Sequence, residues 1–334
     1  MDPTSLQTQI NSLITFVSSH CSSGKGLGTT SSAIYDTAWL SMIQKPSDNS
    51  RSFLFPQCFT YVLQHQLPSG GWSYATPIDA ILNTAAALLA LKRHSLFSSS
   101  HRPTQQEPDW PLPSRIAHAS TALKEMLNKW DVASTDQVGF ELLVTRLLLL
   151  LEEAGVQGLS DFPGSAALRA LHDAKLAKLP ANYVYQARST LYHSLEALTG
   201  YIDFTEVGHL KEENGSMLAS PASTAAYLMG LVEKGMWDAQ SEEYLRGVVE
   251  RERFGGEAEG EEKGDGGVPC AWPTETFEVT WVVTTLAEAG VRFDEGGGAA
   301  IREYLEEGWV KQGGLFSFCE LPMTILPRFF GNWG

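Results

Sequence analysis

Residues 76–89 read Thr76-Pro77-Ile78-Asp79-Ala80-Ile81-Leu82-Asn83-Thr84-Ala85-Ala86-Ala87-Leu88-Leu89. Thr76 offers an N-cap oxygen. Pro77 suits the first helical position, where no backbone N–H is needed, and Asp79 brings a carboxylate three residues after the cap. Ile81, Leu82, Ala85, Leu88 and Leu89 then recur at helical spacing, which predicts a helix. The same start returns at Ser220-Pro221, ahead of a run from Ala222 to Met229. Phe140–Glu153 and Arg115–Trp130 each carry an apolar face at helical spacing. Val, Ile and Thr do not cluster in alternating runs, so few strands are expected. Polar loops are expected at Ser98–Pro113 and Gly255–Gly267. The fold class is therefore all-α, built of many short Ala- and Leu-rich helices. A helical toroid or α-α barrel fits this pattern, and composition does not choose it over other all-α arrangements.

One turn is more specific. Gln66-Leu67-Pro68-Ser69-Gly70-Gly71-Trp72 has the form Gln-x-x-x-Gly-x-Trp. The glycine permits a tight bend. The Trp ring is expected to cover the Gln amide, and the Gln to cap a helix end, giving a clamp between helices. A weaker relative lies at Lys211-Glu212-Glu213-Asn214-Gly215-Ser216-Met217, with both Gln and Trp replaced.

The chain has 334 residues, 43% of them hydrophobic and 19% charged, which suffices for a sizeable core in one large domain or two smaller ones. Its net charge of −15 excludes a general nucleic-acid binder, which needs a basic surface. Residues 1–200 hold 15 acidic and 14 basic side chains, and 201–334 hold 24 and 10. Part of the excess is the Gly/Glu run Gly255–Gly267, whose simplest reading is a solvated loop. Cys21, Cys58, Cys270 and Cys319 are far apart, with no zinc spacing, so free thiols are expected. Asp2 stands where a signal peptide would be basic, and the greasy stretch Leu142–Leu151, broken by Thr145 and Arg146, is too short to span a bilayer. A soluble, cytoplasmic protein is the expectation.

Several segments together resemble class II diterpene cyclases of the copalyl diphosphate synthase type, especially the fungal bifunctional copalyl diphosphate/ent-kaurene synthases. They are Tyr35-Asp36-Thr37-Ala38-Trp39, Phe55-Pro56, Gln66 to Trp72, Ile81 to Thr84, Val138-Gly139-Phe140-Glu141, Leu191 to Ala197, Asn214 to Ala225, and Trp272-Pro273 with Phe277-Glu278. Their order matches the family from about residue 30 to about residue 315. The resemblance implies helical domains called α, β and γ, with γ inserted near the start of β. Residues 1–30 would be an N-terminal β-domain segment and 31–269 the γ domain. Residues 270–334 would be a truncated β-domain segment with a divergent tail from about residue 319. It further implies geranylgeranyl diphosphate as substrate, Mg2+ as cofactor, and a buried Asp of an Asp-x-Asp-Asp motif as the acid that protonates the terminal alkene.

The same resemblance supplies site residues. Lys175 aligns with a lysine that contacts the diphosphate. Glu141 aligns with a γ-domain carboxylate linked to magnesium and diphosphate, with no direct metal ligand assigned; a helix-start carboxylate is the plainer reading. His193 aligns with a histidine that helps hold a water as the terminal base, a role suited to a group titrating near neutrality; a satisfied core histidine is the plainer reading. That histidine's family partner is an Asn in Gly-Gly-Val-Pro-Asn. Here the segment is Gly266-Gly267-Val268-Pro269-Cys270, and a thiol is a poor hydrogen-bonding substitute.

The sequence departs from the family in one central respect. It contains no Asp-x-Asp-Asp and no Asp-Asp-x-x-Asp, and no two aspartates are adjacent. After Gln312-Gly313-Gly314-Leu315 the family pattern is lost near Cys319, as a frameshift or an unspliced intron would produce; Glu320 alone is no substitute for the acid. A chain inactive by itself is expected. Its incomplete β domain is expected to leave apolar surface for association with a partner or a complementary chain. The rival reading is a non-catalytic helical remnant acting as an interaction module.

Overall fold

The computed structural model describes residues 3–23, 28, 30–47, 50–73, 75–100, 111–180, 182–251, 265–294 and 296–311. The helices in chain order are α1 Pro3–Ser23, α2 Ile34–Ser41, α3 Pro56–Gln64, α4 Pro77–Ser100, α5 Leu112–Lys129, α6 Phe140–Glu153, α7 Ser165–Leu176, α8 Tyr183–Gln186, α9 Pro221–Glu233, α10 Ala239–Val249, α11 Glu275–Glu288 and α12 Gly296–Lys311. A 3-10 segment, Thr190–Leu198, lies between α8 and α9. The strands among the described residues are β1 Gln44–Ser47 and β2 Ser50–Phe53, an antiparallel pair with Gln44 opposite Phe53. The all-α class holds.

The chain divides into two compact units. The larger takes its described residues from 31–249 and 265–270, the smaller from 3–30, 250–251 and 271–311. In the smaller unit α1 packs on α12, and Val17, Val279, Val283, Phe293, Ile301 and Leu305 form the core.

In the larger unit α4 starts as its sequence requires. The Asp79 backbone N–H donates to Thr76 Oγ1 at 3.3 Å and the Thr76 N–H to Asp79 Oδ2 at 3.1 Å, a reciprocal cap. Residues 85–91 of α4 are at most 1% exposed, because α2, α5 and α6 all pack on this helix. Alanine at 85, 86, 87 and 90 lets those neighbours approach closely. Ser220 caps α9 in the same fashion, accepting from the Ser223 N–H at 3.2 Å. Helix α2 is buried from Asp36 through Ser41. Thr37 satisfies its hydroxyl by donating to the Ala33 carbonyl at 2.7 Å and accepting from the Val268 N–H at 3.0 Å. The Ala33 N–H donates to the Val268 carbonyl at 2.7 Å, so residues 265–270 return to the start of α2.

The Gln66 turn is a clamp, but its parts are arranged differently from expectation. Trp72, fully buried, donates Nε1–H to the Val62 carbonyl at 2.8 Å, and Arg115 donates to the Leu63 carbonyl at 2.7 Å. These two side chains, not Gln66, cover orphan carbonyls at the end of α3. Gln66 donates to the Gly70 carbonyl at 3.0 Å and the Arg115 carbonyl at 3.1 Å, tying the turn to α5. A Gln side chain is long enough to cross to the next helix, which spacing alone does not reveal. The turn at Gly215 repeats the backbone geometry: Leu67 and Glu212 donate to Gly71 and Ser216 at 2.8 and 2.9 Å.

The expected loop Ser98–Pro113 is shorter than its composition suggests. Helix α4 continues through Ser100 and α5 begins at Leu112, because three serines at a helix end are tolerated. Residues 101–110, most of the Gly/Glu run, and the tail with Cys319 and Glu320 lie outside the described residues. Cys21, Cys58 and Cys270 are free thiols. No helix among the described residues is long and apolar enough to cross a membrane.

Gly70 has φ of +93°, and an added Cβ would lie 2.5 Å from the His118 carbonyl oxygen. Gly235 has φ of +71° with open space around it. Gly235→Ala therefore costs only backbone strain, about 1 kcal/mol. Gly70→Ala must also displace α5 backbone and costs about 3 kcal/mol or more. Urea unfolding of both variants checks this; equal losses would show that the clamp yields freely.

Candidate active site

The first turns of α2 and α4, the end of α3 and one position of α6 surround a cavity of about 660 Å³. Tyr35 and Asp36 come from α2, Tyr61 and His65 from α3 and its C-cap, Asp79, Leu82 and Asn83 from α4, and Leu143 from α6. Cys270 closes the wall.

One lining residue, Asp36, and a second residue hydrogen-bonded to the wall, Glu196, carry buried carboxyl groups. Asp36 is 4% exposed and Glu196, from the 190–198 segment, 3%. Tyr35 donates its hydroxyl to Glu196 Oε1 at 3.0 Å, and Ser223 donates to Oε2 at 2.7 Å. Asp36 accepts a longer bond, 3.3 Å, from the Ala222 N–H. Burial pushes the Glu196 carboxyl up to about 7, against the pull of its two hydroxyl donors. Burial raises Asp36 well above the ordinary carboxylate range, and the neighbouring Glu196 charge adds to it. The two groups repel as anions, so near neutrality the pair retains a proton. The Cys270 thiol is pushed up to about 11, by burial first and Asp36 second, although the residue keeps an exposed surface.

Glu141 and Lys175 are brought together. Gly139, at φ +89°, turns the chain into α6 and sets Glu141 in its first turn, where the helix dipole favours a carboxylate. Lys175 stands in the last turn of α7, where the dipole favours a cation, and α7 packs on α6. Lys175 Nζ lies 3.1 Å from Glu141 Oε1. The Glu side chain is 11% exposed and the Lys 39%, so the lysine is partly open to solvent.

His193 makes its contact elsewhere. The Leu218 carbonyl lies 3.0 Å from Nδ1 and can only accept, so Nδ1 carries the proton and Nε2 keeps its lone pair. Burial holds the imidazole below its ordinary value, opposed by that hydrogen bond. The accepting residue is strained: Leu218 and Ala219 have φ of 52° and 54° without being glycine. The α9 entry thus supports both groups of the 190–198 segment, Leu218 holding His193 and Ser223 holding Glu196.

Sequence reasoning assigned nothing to Asp36 or Glu196. The available signal was a lone carboxylate inside each apolar run, Ile34 to Leu40 and Leu195 to Leu198.

The fold has a counterpart among solved structures. The ent-copalyl diphosphate synthase of Arabidopsis thaliana, solved with (S)-15-aza-14,15-dihydrogeranylgeranyl thiolodiphosphate, matches with a TM-score of 0.64. The match covers 92% of this chain and 39% of that one at 24% identity. The fold is that of a helical terpene cyclase. No family model matches the chain. The copalyl diphosphate synthase of Talaromyces verruculosus is 41% identical over 321 residues, 95% of this chain and 32% of that protein. The ent-kaur-16-ene synthase of Fusarium fujikuroi is 38% identical over 283 residues, 83% of this chain and 28% of that protein. The homologues of the chain are fungal diterpene cyclases of the copalyl diphosphate and ent-kaurene synthase type, and it spans about a third of the length of the curated relatives it matches.

A carboxyl raised on folding holds its proton more tightly in the native chain than in the unfolded one. The Glu196 contribution is therefore intact below pH 4.5, declines as the unfolded chain ionises, and is lost as pH passes about 7. The difference amounts to about 3 kcal/mol. His94 and His193, lowered by burial, act in the opposite direction, so the comparison must be differential. Urea unfolding of wild type and Glu196→Gln between pH 4.5 and 8 should show the wild type losing about 3 kcal/mol relative to the variant. Parallel curves would exclude Glu196 as the source.

Proposed function

We propose that the chain supplies the γ-domain half of a class II diterpene cyclase site, with residues 31–269 as γ and residues 1–30 and 270–334 as the beginning of β. In this reading it binds geranylgeranyl diphosphate with Mg2+ in the cytoplasm, within a lineage that forms copalyl diphosphate. The observation that carries the reading is the Glu141–Lys175 pair. Two residues 34 positions apart (175 − 141), each aligned with diphosphate binding, meet at 3.1 Å in one unit.

The donors suit the metal in a restricted way. Among the described residues no three His, Cys, Asp or Glu side chains could hold an ion by themselves. One buried carboxylate is sufficient where the substrate's own phosphate oxygens complete the shell, which is the usual manner for magnesium. Glu141 would hold it; when bound, the ion offsets diphosphate charge. Lys175, already partly turned to solvent, exchanges or shares its carboxylate partner for a diphosphate oxygen. In a site completed by the missing acid, His193, neutral and with Nε2 as acceptor, would take a proton from water or from the final cation. Cys270, in place of the family Asn, gives that water a weaker hold.

Initiation is a separate matter. Protonating an alkene requires a strong acid kept in its protonated form. The sequence holds no pair of adjacent aspartates, and we read the chain as binding substrate without cyclising it by itself. The partly exposed Phe277 and Trp281 on α11, at 36% and 60% exposure, support an association surface on the smaller unit.

Calorimetry with geranylgeranyl diphosphate and Mg2+ tests the site. Lys175→Gln should weaken binding at least tenfold, matching about 1.5–3 kcal/mol for a charge-assisted contact, with an unchanged thermal melt. Glu141→Gln should remove most of the magnesium dependence. Unchanged affinity in Lys175→Gln would overturn the site. Copalol among the dephosphorylated products of the purified chain would overturn the absence of initiation.

A further inference from the structure

Helix α11 is apolar on two sides. Val279 and Val283 face the core of the smaller unit, at 0% and 2% exposure. Phe277 and Trp281 stand one turn apart on the opposite side, 36% and 60% exposed, with their rings 6.2 Å apart and edge-on. Thr285 continues that side by a further turn and is also exposed. A helix apolar on opposite sides is ordinarily covered on both.

The same chain holds a segment that suits this surface. Residues 312–334 lie outside the described residues and follow α12 directly. Within them are Phe316, Phe318, Phe329, Phe330 and Trp333, against two charges, Glu320 and Arg328, that cancel. The chain as a whole has a net charge of −15. So many aromatic side chains with so little charge are unfavourable in water.

The end of α12 decides what this segment can reach. Helices α11 and α12 are consecutive and run antiparallel: Thr276, in the first turn of α11, has its hydroxyl 3.2 Å from that of Tyr304, in the second half of α12. Helix α12 ends at Lys311, seven residues on (311 − 304), about 10 Å along the axis. The chain therefore leaves α12 at the end of the helix pair where Phe277 and Trp281 stand. Phe316 follows five residues later (316 − 311), a reach of up to about 17 Å. Gly313-Gly314 permits a bend on the way.

We propose that residues 315–333 dock on the Phe277–Trp281 side of α11 in the same chain. Attachment to α12 gives the segment an effective concentration in the millimolar range. A second copy at micromolar protein competes poorly with that, which decides for the chain's own segment. The docked segment occupies the association surface of the smaller unit, and a partner chain must displace it. The inference stands apart from the diphosphate site.

The test uses the full chain with photoreactive benzoylphenylalanine in place of Thr285, as a mixture of unlabelled and isotope-labelled protein. Irradiation should link position 285 to residues 315–333, and mass spectrometry should find both linked peptides with the same isotope label. Trp281→Ser in that background should lower the yield about tenfold. In the otherwise unmodified chain, Trp281→Ser should let chymotrypsin cut within 315–333 about tenfold faster. Lys175→Gln should leave the link unchanged, so that failure here and failure of the diphosphate site remain distinct. Links of mixed isotope, which identify a second copy, would overturn the proposal. So would links confined to other segments, no link at all, or yield and cleavage indifferent to Trp281→Ser.

Discussion

Burying a carboxylate in a helical core is costly, and the larger unit buries Asp36 and Glu196 close enough for the Glu196 charge to raise Asp36. The constraint reaches well beyond the pair. Among the described residues neither group finds a Lys or Arg, so they are met with neutral donors and the pair retains a proton. Tyr35 must come from the first turn of α2, Ser223 from the first turn of α9, and the Ala222 N–H from an unsatisfied helix start. Those demands fix α2, the 190–198 segment and α9 relative to one another. The left-handed backbone at Leu218 and Ala219 belongs to the same arrangement: it shapes the turn that delivers Ser220 as cap and the Leu218 carbonyl to His193.

Much of the architecture was legible because it is encoded locally. Thr76-Pro77 and Ser220-Pro221 announce their helices through short-range cap chemistry, and Phe140–Glu153 through periodicity alone. Glu141 and Lys175 were legible as individual residues by resemblance, and the helix dipoles account for their positions at a first and a last turn. Their meeting was not legible, since it depends on how α7 packs on α6. The buried pair was less legible still. Tyr35 and Glu196 are 161 residues apart, Ser223 and Glu196 27, and no local pattern connects them. In the Gln66 turn, glycine and the bend were readable, whereas the exchange of roles between Gln66, Trp72 and Arg115 depends on side-chain reach. The serines at 98–100 misled because composition suggests a loop where an established helix simply runs on.

Helix α6 faces two ways. Glu141 in its first turn engages the exposed ammonium of Lys175, and Leu143, two residues on, faces the cavity that holds Asp36. Two residues rise only about 3 Å along a helix, but they project in very different directions. Glu141 and Lys175 stand where a helix already carries partial charge, at a first and a last turn, so both dipoles favour their pairing. Leu143, projecting the other way, is left to line the cavity.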